Sequence, residues 1–226
     1  MKPSLDRYRR MNRYPVSLEA NWESARFVCI DLESTGFDPG RDRIVSFAGV
    51  ALRAGEIHLW DCISEILPVA YNTASVTVHG ITREESVHGR DESSALAAFL
   101  DWIADGVIVG HHIQHDLTLL NTALRRHFSM ELGNPALDTM ESFLALSEAG
   151  GFPSRPDPSG YSLDALCAYF DIVPHDRHTA WGDAFLAAQI QLRILKEAGK
   201  IGQWNFNDLR AWRSNEPFPF MTGNKP

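Results

Sequence analysis

Two acidic residues stand in one strand-like segment of this chain, at positions where charge is unfavourable. Residues 27–33 read Phe-Val-Cys-Ile-Asp-Leu-Glu, and their alternation puts Asp31 and Glu33 on the strand face that also carries Phe27 and Cys29. The other face is aliphatic throughout. A strand with two apolar faces belongs inside a sheet covered on both sides, where a lone carboxylate is unfavourable. Two like charges there favour a bound cation, and a solvated strand end is the alternative.

Two further acids lie on the apolar sides of predicted helices. Asp116 precedes an apolar stripe by three, four, seven and eight residues, and a capping role at the helix N-terminus is its alternative explanation. Asp183 shares the core-facing side of the last long helix with Ala187, Ile190 and Ile194, and a buried arginine partner is the alternative there. For four inward-facing acids, a shared hard cation is the simpler explanation.

His178 adds a group that could move a proton. It lies five residues before Asp183, which on one continuous helix would turn it about 140° away at ~100° per residue. If both residues face one site, His178 must lie on the loop before the helix, where a general base could act. An exposed loop histidine is the competing interpretation.

The elements around these residues predict a mixed sheet flanked by helices. Strands are predicted at 27–33, 43–52 and 57–63 as an antiparallel meander, and shorter strands at 107–109 and 135–138. Helices are predicted at 162–170 and 179–199, and three more are expected near 91–103, after His115 and after 138. Residues 64–90 are expected to be mostly loop, with a short helical piece around 72–75.

Composition limits the function classes. The chain has 226 residues and a net charge of -8, which argues against coating nucleic acid through a broad basic surface but not against gripping a few nucleotides through bound metal. The three cysteines, Cys29, Cys62 and Cys167, are expected to be reduced core residues. No apolar run approaches membrane-spanning length, and the first residues lack a signal-peptide core, so cytoplasmic localisation is expected.

Three motifs in order resemble those of the DEDD-type 3′→5′ exonucleases with a motif histidine, such as the DNA polymerase III epsilon subunit and its stand-alone homologues. The first is Asp-Leu-Glu-Ser-Thr-Gly at 31–36, the second His-His-Ile-Gln-His-Asp at 111–116, and the third His-Thr-Ala-Trp-Gly-Asp at 178–183. Smaller landmarks agree at 78–82, 137–139 and 162–166, so that the resemblance covers roughly residues 26–198.

The resemblance implies an α/β, ribonuclease-H-like fold with a central mixed sheet of about five strands. It implies an exonuclease domain at 26–200, between a basic N-terminal extension at 1–25 and a partly disordered C-terminal extension at 201–226. The first extension is expected to be a short helix or an arm, and a solvated extension is favoured over an arm that binds nucleic acid. A short helix is considered at 207–213 in the second.

The resemblance also implies the chemistry, which is the release of nucleoside 5′-monophosphates from a 3′ end of DNA with two Mg²⁺ or Mn²⁺ ions. The implied metal ligands are Asp31, Glu33, Asp116 and Asp183, with His178 as the general base. The implied substrate contacts are Ser34, Thr35, Gly36 and His79, with Gly36 letting the terminal nucleotide approach the backbone. The second motif departs from the family pattern, since His112 replaces asparagine and His115 replaces phenylalanine.

Three alternatives stay open at this point. The same site could trim RNA, or the chain could be a non-catalytic module that binds a strand end. It could also be an accessory subunit of a polymerase or sliding clamp. Residues 191–195, Gln-Leu-Arg-Ile-Leu, loosely resemble a clamp-binding peptide but are interpreted as helix core. The expected partner is a single-stranded or frayed 3′ end, with DNA favoured over RNA and no membrane.

Overall fold

Five strands form one sheet in the computed structural model, which describes residues 2–13, 24–70, 73–152, 160–202 and 208–209. The strands are β1 (Arg26–Ser34), β2 (Ile44–Arg53), β3 (Glu56–Ile66), β4 (Val107–Gly110) and β5 (Ala136–Asp138). Their order is β3-β2-β1-β4-β5, with β1–β2 and β2–β3 antiparallel and β4 parallel to both β1 and β5. The predicted five-stranded mixed sheet and its antiparallel meander are confirmed.

Eight helices are seen in the described residues. They are α1 (Lys2–Met11), α2 (Val76–His79), α3 (Arg83–Ser86), α4 (Glu92–Ile103), α5 (Gln114–Phe128), α6 (Thr139–Glu148), α7 (Leu163–Tyr169) and α8 (Ala180–Ile201). The side chains of Asp91, Ser162 and Thr179 accept hydrogen bonds from backbone N–H groups in the first turns of α4, α7 and α8. These caps fix where the helices begin. The short helical piece expected around 72–75 begins later, at Val76.

The two faces of β1 pack against different helices. Phe27 and Cys29 belong to a core shared with α6, α7 and α8. Val28 and Ile30 belong to a second core, shared with α1, α4 and α5. The sheet is therefore covered on both sides, as the two apolar faces of residues 27–33 predicted. Asp31 and Glu33 continue the face that α8 covers.

The N-terminal residues form the short helix that was considered for them, α1, but they are not the solvated extension that their charge favoured. Tyr8 on α1 is only 2% exposed, and its hydroxyl donates to the Asn134 side chain and accepts from the Gly133 N–H. Tyr8 packs into the second core, while the arginines on either side of it, Arg7 and Arg9, are exposed. The predictions for residues 14–23, 71–72, 153–159, 203–207 and 210–226 lie outside the described residues.

The cysteine prediction holds for two residues and is wrong for the third. Cys29 and Cys167 are buried, and all three cysteines are free thiols, but Cys62 is exposed. Cys62 lies on β3, whose outer edge has no partner strand among the described residues. An edge strand that is covered only in part alternates between exposed and half-buried side chains, so an apolar neighbourhood in sequence does not imply burial there.

The interpretation of residues 191–195 as helix core is confirmed. Gln191, Ile194 and Leu195 are fully buried on α8 and cannot bind a clamp without unfolding the helix. No helix within the described ranges has the length and apolar character needed to cross a membrane.

Phe99 tests the core that supports β1 from the α4 side. Its ring is fully buried and meets Phe47 edge to face at 5.2 Å. We expect Phe99→Ala to lower the free energy of unfolding by about 3–5 kcal/mol, because truncation leaves a cavity in a packed core. The matched change at an exposed site, Val173→Ala, is expected to stay within about 0.5 kcal/mol. Urea unfolding followed by fluorescence measures both, and equal midpoints would contradict the assignment of this core.

Candidate active site

Three of the predicted ligands meet where β1 ends. Carboxylate oxygens of Asp31, Glu33 and Asp183 lie within 4.8 Å of one another. Asp31 and Glu33 project from the α8 side of β1, and Asp183 projects from the first turn of α8. The apolar positions of α8 hold the helix against β1, so the sequence pattern that buries Ala187 and Ile190 also carries Asp183 to the strand.

The cluster lacks enough positive charge for its carboxylates. Burial, followed by the charges of Asp116, Asp183 and Glu33, raises the pKa of Asp31 well above its usual value. Burial and the charge of Asp183 raise the pKa of Glu33 to about 7. The cluster offers carboxylate oxygens alone, and these are the ligand atoms that Mg²⁺ and Mn²⁺ prefer.

Asp116 lies beside this group but outside the set of oxygens that meet within 4.8 Å. It is buried in the first turn of α5, and burial followed by the charges of Glu33 and Asp138 raises its pKa. The loop that leads into α5 and to Asp116 is held by Asp138, to which no function was assigned from the sequence. The Asp138 carboxylate accepts hydrogen bonds from the Met140 and Ile113 N–H groups, tying the end of β5 to the loop that starts α5.

His178 lies before α8, as its spacing from Asp183 predicted. It is exposed, and its φ of 60° places it in the left-handed region, two residues ahead of the helix. The His178 ring is not among the side chains that meet in the cluster of Asp31, Glu33 and Asp183. Gly182 explains why this loop lies close to α8, since a Cβ at residue 182 would be 2.0 Å from the carbonyl oxygen of Asp176.

The predicted substrate contacts after β1 are engaged inside their own loop. The Ser34 hydroxyl donates to the Gly36 carbonyl at 2.7 Å, and the Thr35 hydroxyl donates to Asp42 at 2.8 Å. A Cβ on Gly36 would meet the Asp42 carboxylate at 2.6 Å. Glycine at residue 36 leaves room for the Asp42 carboxylate, which accepts hydrogen bonds from the Thr35 hydroxyl and the Asp38 N–H, whether or not a nucleotide approaches it.

His79 is buried and hydrogen-bonded through both ring nitrogens. Its Nδ1 accepts from the Ile81 N–H at 3.0 Å, so Nε2 carries the proton and donates to the Ser75 hydroxyl at 3.2 Å. Burial lowers the pKa of His79, which agrees with a neutral ring. In this arrangement the imidazole organises the turn after α2.

The histidines of the second motif have separate environments. His111 is held by Thr139, at 2.9 Å from its Nδ1, and burial lowers its pKa to about 3. His112 is exposed and packs on His111 with ring centroids 4.4 Å apart. His115, where the family has phenylalanine, packs against the ring of Phe37 at 5.3 Å. Phe37 is 87% exposed, so most of its ring stays open to solvent beside His115, the residue before Asp116.

Two further residues contact the site, Arg177 and Asp164. Neither of them was assigned a function from the sequence. Arg177 forms ion pairs with Asp164 and with Asp183. An arginine partner, the alternative considered for Asp183 alone, is thus present together with the acidic cluster, although Arg177 is only partly buried. The sequence signal was the arginine directly before the third motif, which no helical or strand periodicity could assign.

Comparison with known proteins identifies the family of the chain. The model of a family described as exonuclease matches residues 28–191. A DNA polymerase III PolC-type protein of Thermotoga petrophila is 29% identical over 196 residues, which are 86% of this chain and 14% of that protein. The DNA polymerase III subunit epsilon of Aquifex aeolicus is 29% identical over 191 residues, which are 83% of this chain and 90% of that subunit. The chain thus spans a small part of the PolC-type proteins it matches.

Solved structures support the fold. Escherichia coli Exonuclease I, in complex with a dT13 oligonucleotide, has a TM-score of 0.67 and 18% sequence identity, over 79% of this chain and 42% of that one. The cell-death related nuclease CRN-4 has a TM-score of 0.64 and 16% identity, over 77% and 64% of the two chains. The predicted ribonuclease-H-like fold is confirmed.

Glu33 gives the metal-free site a testable pH dependence. A carboxyl whose pKa rises from 4.5 to about 7 on folding destabilises the folded state progressively as pH rises through that window. In EDTA at pH 8 we therefore expect Glu33→Gln to melt at a higher temperature than the wild type, with the difference vanishing near pH 4. Thermal unfolding measures it, and Glu56→Gln, an exposed site on β3, serves as the control. A variant that is less stable at pH 8 would contradict the electrostatic picture.

Proposed function

Because the chain belongs to the exonuclease family, we propose that it is a 3′→5′ exonuclease that releases nucleoside 5′-monophosphates from DNA ends. The prediction of an exonuclease domain resembling the DNA polymerase III epsilon subunit is confirmed at the level of family. The observation that carries the proposal is the meeting of Asp31, Glu33 and Asp183 oxygens within 4.8 Å, beside Asp116.

The residues fit a site for two divalent ions. Asp31, Glu33, Asp116 and Asp183 would hold the ions, since carboxylate oxygens are the ligands that Mg²⁺ and Mn²⁺ prefer. Bound there, two ions would supply an activated water and stabilise the departing 3′ oxygen. The raised pKa values of Asp31 and Asp116 support this assignment, because bound cations would relieve the repulsion behind them.

His178 would take the proton of the attacking water. Its position on an exposed loop next to the first turn of α8 lets the ring reach a substrate from the solvent side. An imidazole titrates near neutral pH, which suits a group that must accept and then release a proton.

The substrate's terminal nucleotide would lie against the loop after β1. Ser34, Thr35 and Gly36 shape this loop and would present its backbone to the nucleotide, while His79 would support the neighbouring turn. The exposed ring of Phe37 offers a stacking surface for a base. DNA is favoured because Escherichia coli Exonuclease I, which shares the fold, is seen with a DNA oligonucleotide.

Hydrolysis of a 5′-labelled single-stranded DNA oligonucleotide tests the proposal. We expect Mg²⁺-dependent shortening from the 3′ end, with nucleoside 5′-monophosphate as product and no activity in EDTA. Asp183→Asn should abolish shortening, whereas Asp105→Asn, an exposed aspartate away from the site, should not change it. Internal cleavage, unchanged activity in Asp183→Asn, or hydrolysis of a matched RNA oligomer alone would contradict the proposal.

The role of His178 has its own test. We expect His178→Ala to lower kcat by about 10²–10⁴-fold, the usual contribution of a positioned general base, while Mn²⁺ binding stays unchanged. His175→Ala changes another exposed histidine of the same loop and should retain kcat. Equal kcat values for the two variants would remove His178 from the chemistry.

Phe37 is expected to contribute to substrate binding. We expect Phe37→Ala to weaken binding of labelled oligo-dT at least about fivefold, since one base–aromatic stack contributes about 1–3 kcal/mol. Trp60→Ala removes a similarly exposed ring from β3, at the far edge of the sheet, and serves as the matched control. Fluorescence anisotropy with Ca²⁺ in place of Mg²⁺ measures binding without turnover, and equal affinities of the two variants would contradict the stacking role.

A further inference from the structure

The guanidinium of Arg177 lies between two carboxylates. On one edge, its Nε donates to Asp164 Oδ1 at 2.6 Å and its Nη2 donates to Asp164 Oδ2 at 3.0 Å. On the other side, its Nη1 contacts both carboxylate oxygens of Asp183. The contact with Asp164 has the paired, planar geometry in which arginine binds carboxylates most specifically, whereas a single nitrogen of Arg177 meets both oxygens of Asp183.

The two partners differ in exposure. The Asp183 side chain is 11% exposed and that of Arg177 is 21% exposed, whereas that of Asp164 is 58% exposed. Arg177 thus reaches from a solvated anchor on α7 into the acidic cluster. Its charge also lowers the pKa of Asp31 and Glu33, against the larger effects that raise them.

No other arginine or lysine of the described ranges pairs with this cluster. The oxygens that Nη1 contacts belong to a residue that would bind metal. A guanidinium and divalent ions beside one carboxylate repel each other, so the arginine and the metal compete for Asp183. Asp164 provides a place for the arginine when it leaves, because it already holds the other edge of the guanidinium.

We infer that Arg177 is a resident counter-ion that neutralises Asp183 in the metal-free protein and withdraws onto Asp164 when metal binds. It is a positioning residue that sets the metal affinity of the site. The inference rests on the proposed function, since it takes the acidic cluster to be the metal site. The alternative is that Arg177 stays on Asp183 and supports it as a ligand, and this alternative predicts the opposite change in affinity.

Mn²⁺ binding to the full chain, measured by calorimetry without nucleic acid, separates these two cases. We expect Arg177→Gln to tighten Mn²⁺ binding about fivefold or more, because a competing cation is removed. We expect Asp164→Asn to weaken Mn²⁺ binding. Without the Asp164 carboxylate, Arg177 keeps only the second of these two ion pairs, the one with Asp183, and competes more strongly with the metal. The double variant should bind like Arg177→Gln, since Asp164 acts through the arginine. Arg125→Gln breaks an ion pair at the other end of α5 and should leave the affinity unchanged.

Thermal unfolding gives a second readout. In EDTA, Arg177→Gln should melt below the wild type because Asp183 loses its counter-ion. Saturating Mn²⁺ should remove most of this difference in melting temperature. The ions replace the missing positive charge, and a ligand that binds more tightly stabilises the folded protein more. A variant that simply misfolds would bind no Mn²⁺ and show no such recovery, which would count against the inference.

The outcomes distinguish the inference from the proposed function. Unchanged or weaker Mn²⁺ binding in Arg177→Gln, with loss of binding in Asp183→Asn, would overturn the counter-ion role and leave the metal site standing. Mn²⁺ binding that is equal in the wild type and Asp183→Asn would overturn both.

Discussion

The repulsion among the carboxylates of Asp31, Glu33 and Asp183 is the constraint on which the rest of the site depends. Their oxygens lie within 4.8 Å of one another, where burial already disfavours charge. Neither a strand nor a helix alone could keep them there. The apolar contact between α8 and β1, which buries Phe27 and Ile190, supplies the free energy that holds the acids together.

The fold also places favourable helix ends at this position. Asp116 and Asp183 lie in the first turns of α5 and α8, where the helix dipole favours negative charge. β1 and β4 run parallel, so the segments that follow them emerge at the same edge of the sheet. That shared edge explains why motifs more than sixty residues apart in sequence meet. The two cores then fix the helices on opposite faces of β1.

The sequence predicted what periodicity determines and missed what individual contacts determine. The alternation of residues 27–33 and the stripes after Asp116 and Asp183 were enough for the two-faced strand and the acidic cluster. They could not show the Arg177–Asp164 pair, because an arginine on a loop has no period, nor the burial of Tyr8, whose partners lie over 120 residues away. The role of Gly36 was likewise hidden, since Asp42 fills the space before it only in three dimensions.

The residues of the third motif pack closely together because residue 182 is a glycine. The loop before α8 must lie against the first helical turn, with the Asp176 carbonyl where a Cβ of residue 182 would be. Arg177 and His178 follow Asp176 directly, so this contact fixes both relative to Asp183. His178, with a φ of 60°, lies outside the helix and is positioned relative to Asp183 by the loop, not by a shared helical face. The proposed proton acceptor, His178, and the proposed counter-ion, Arg177, thus depend on one backbone contact, while the proposed metal ligand, Asp183, depends on the packing of α8 against β1.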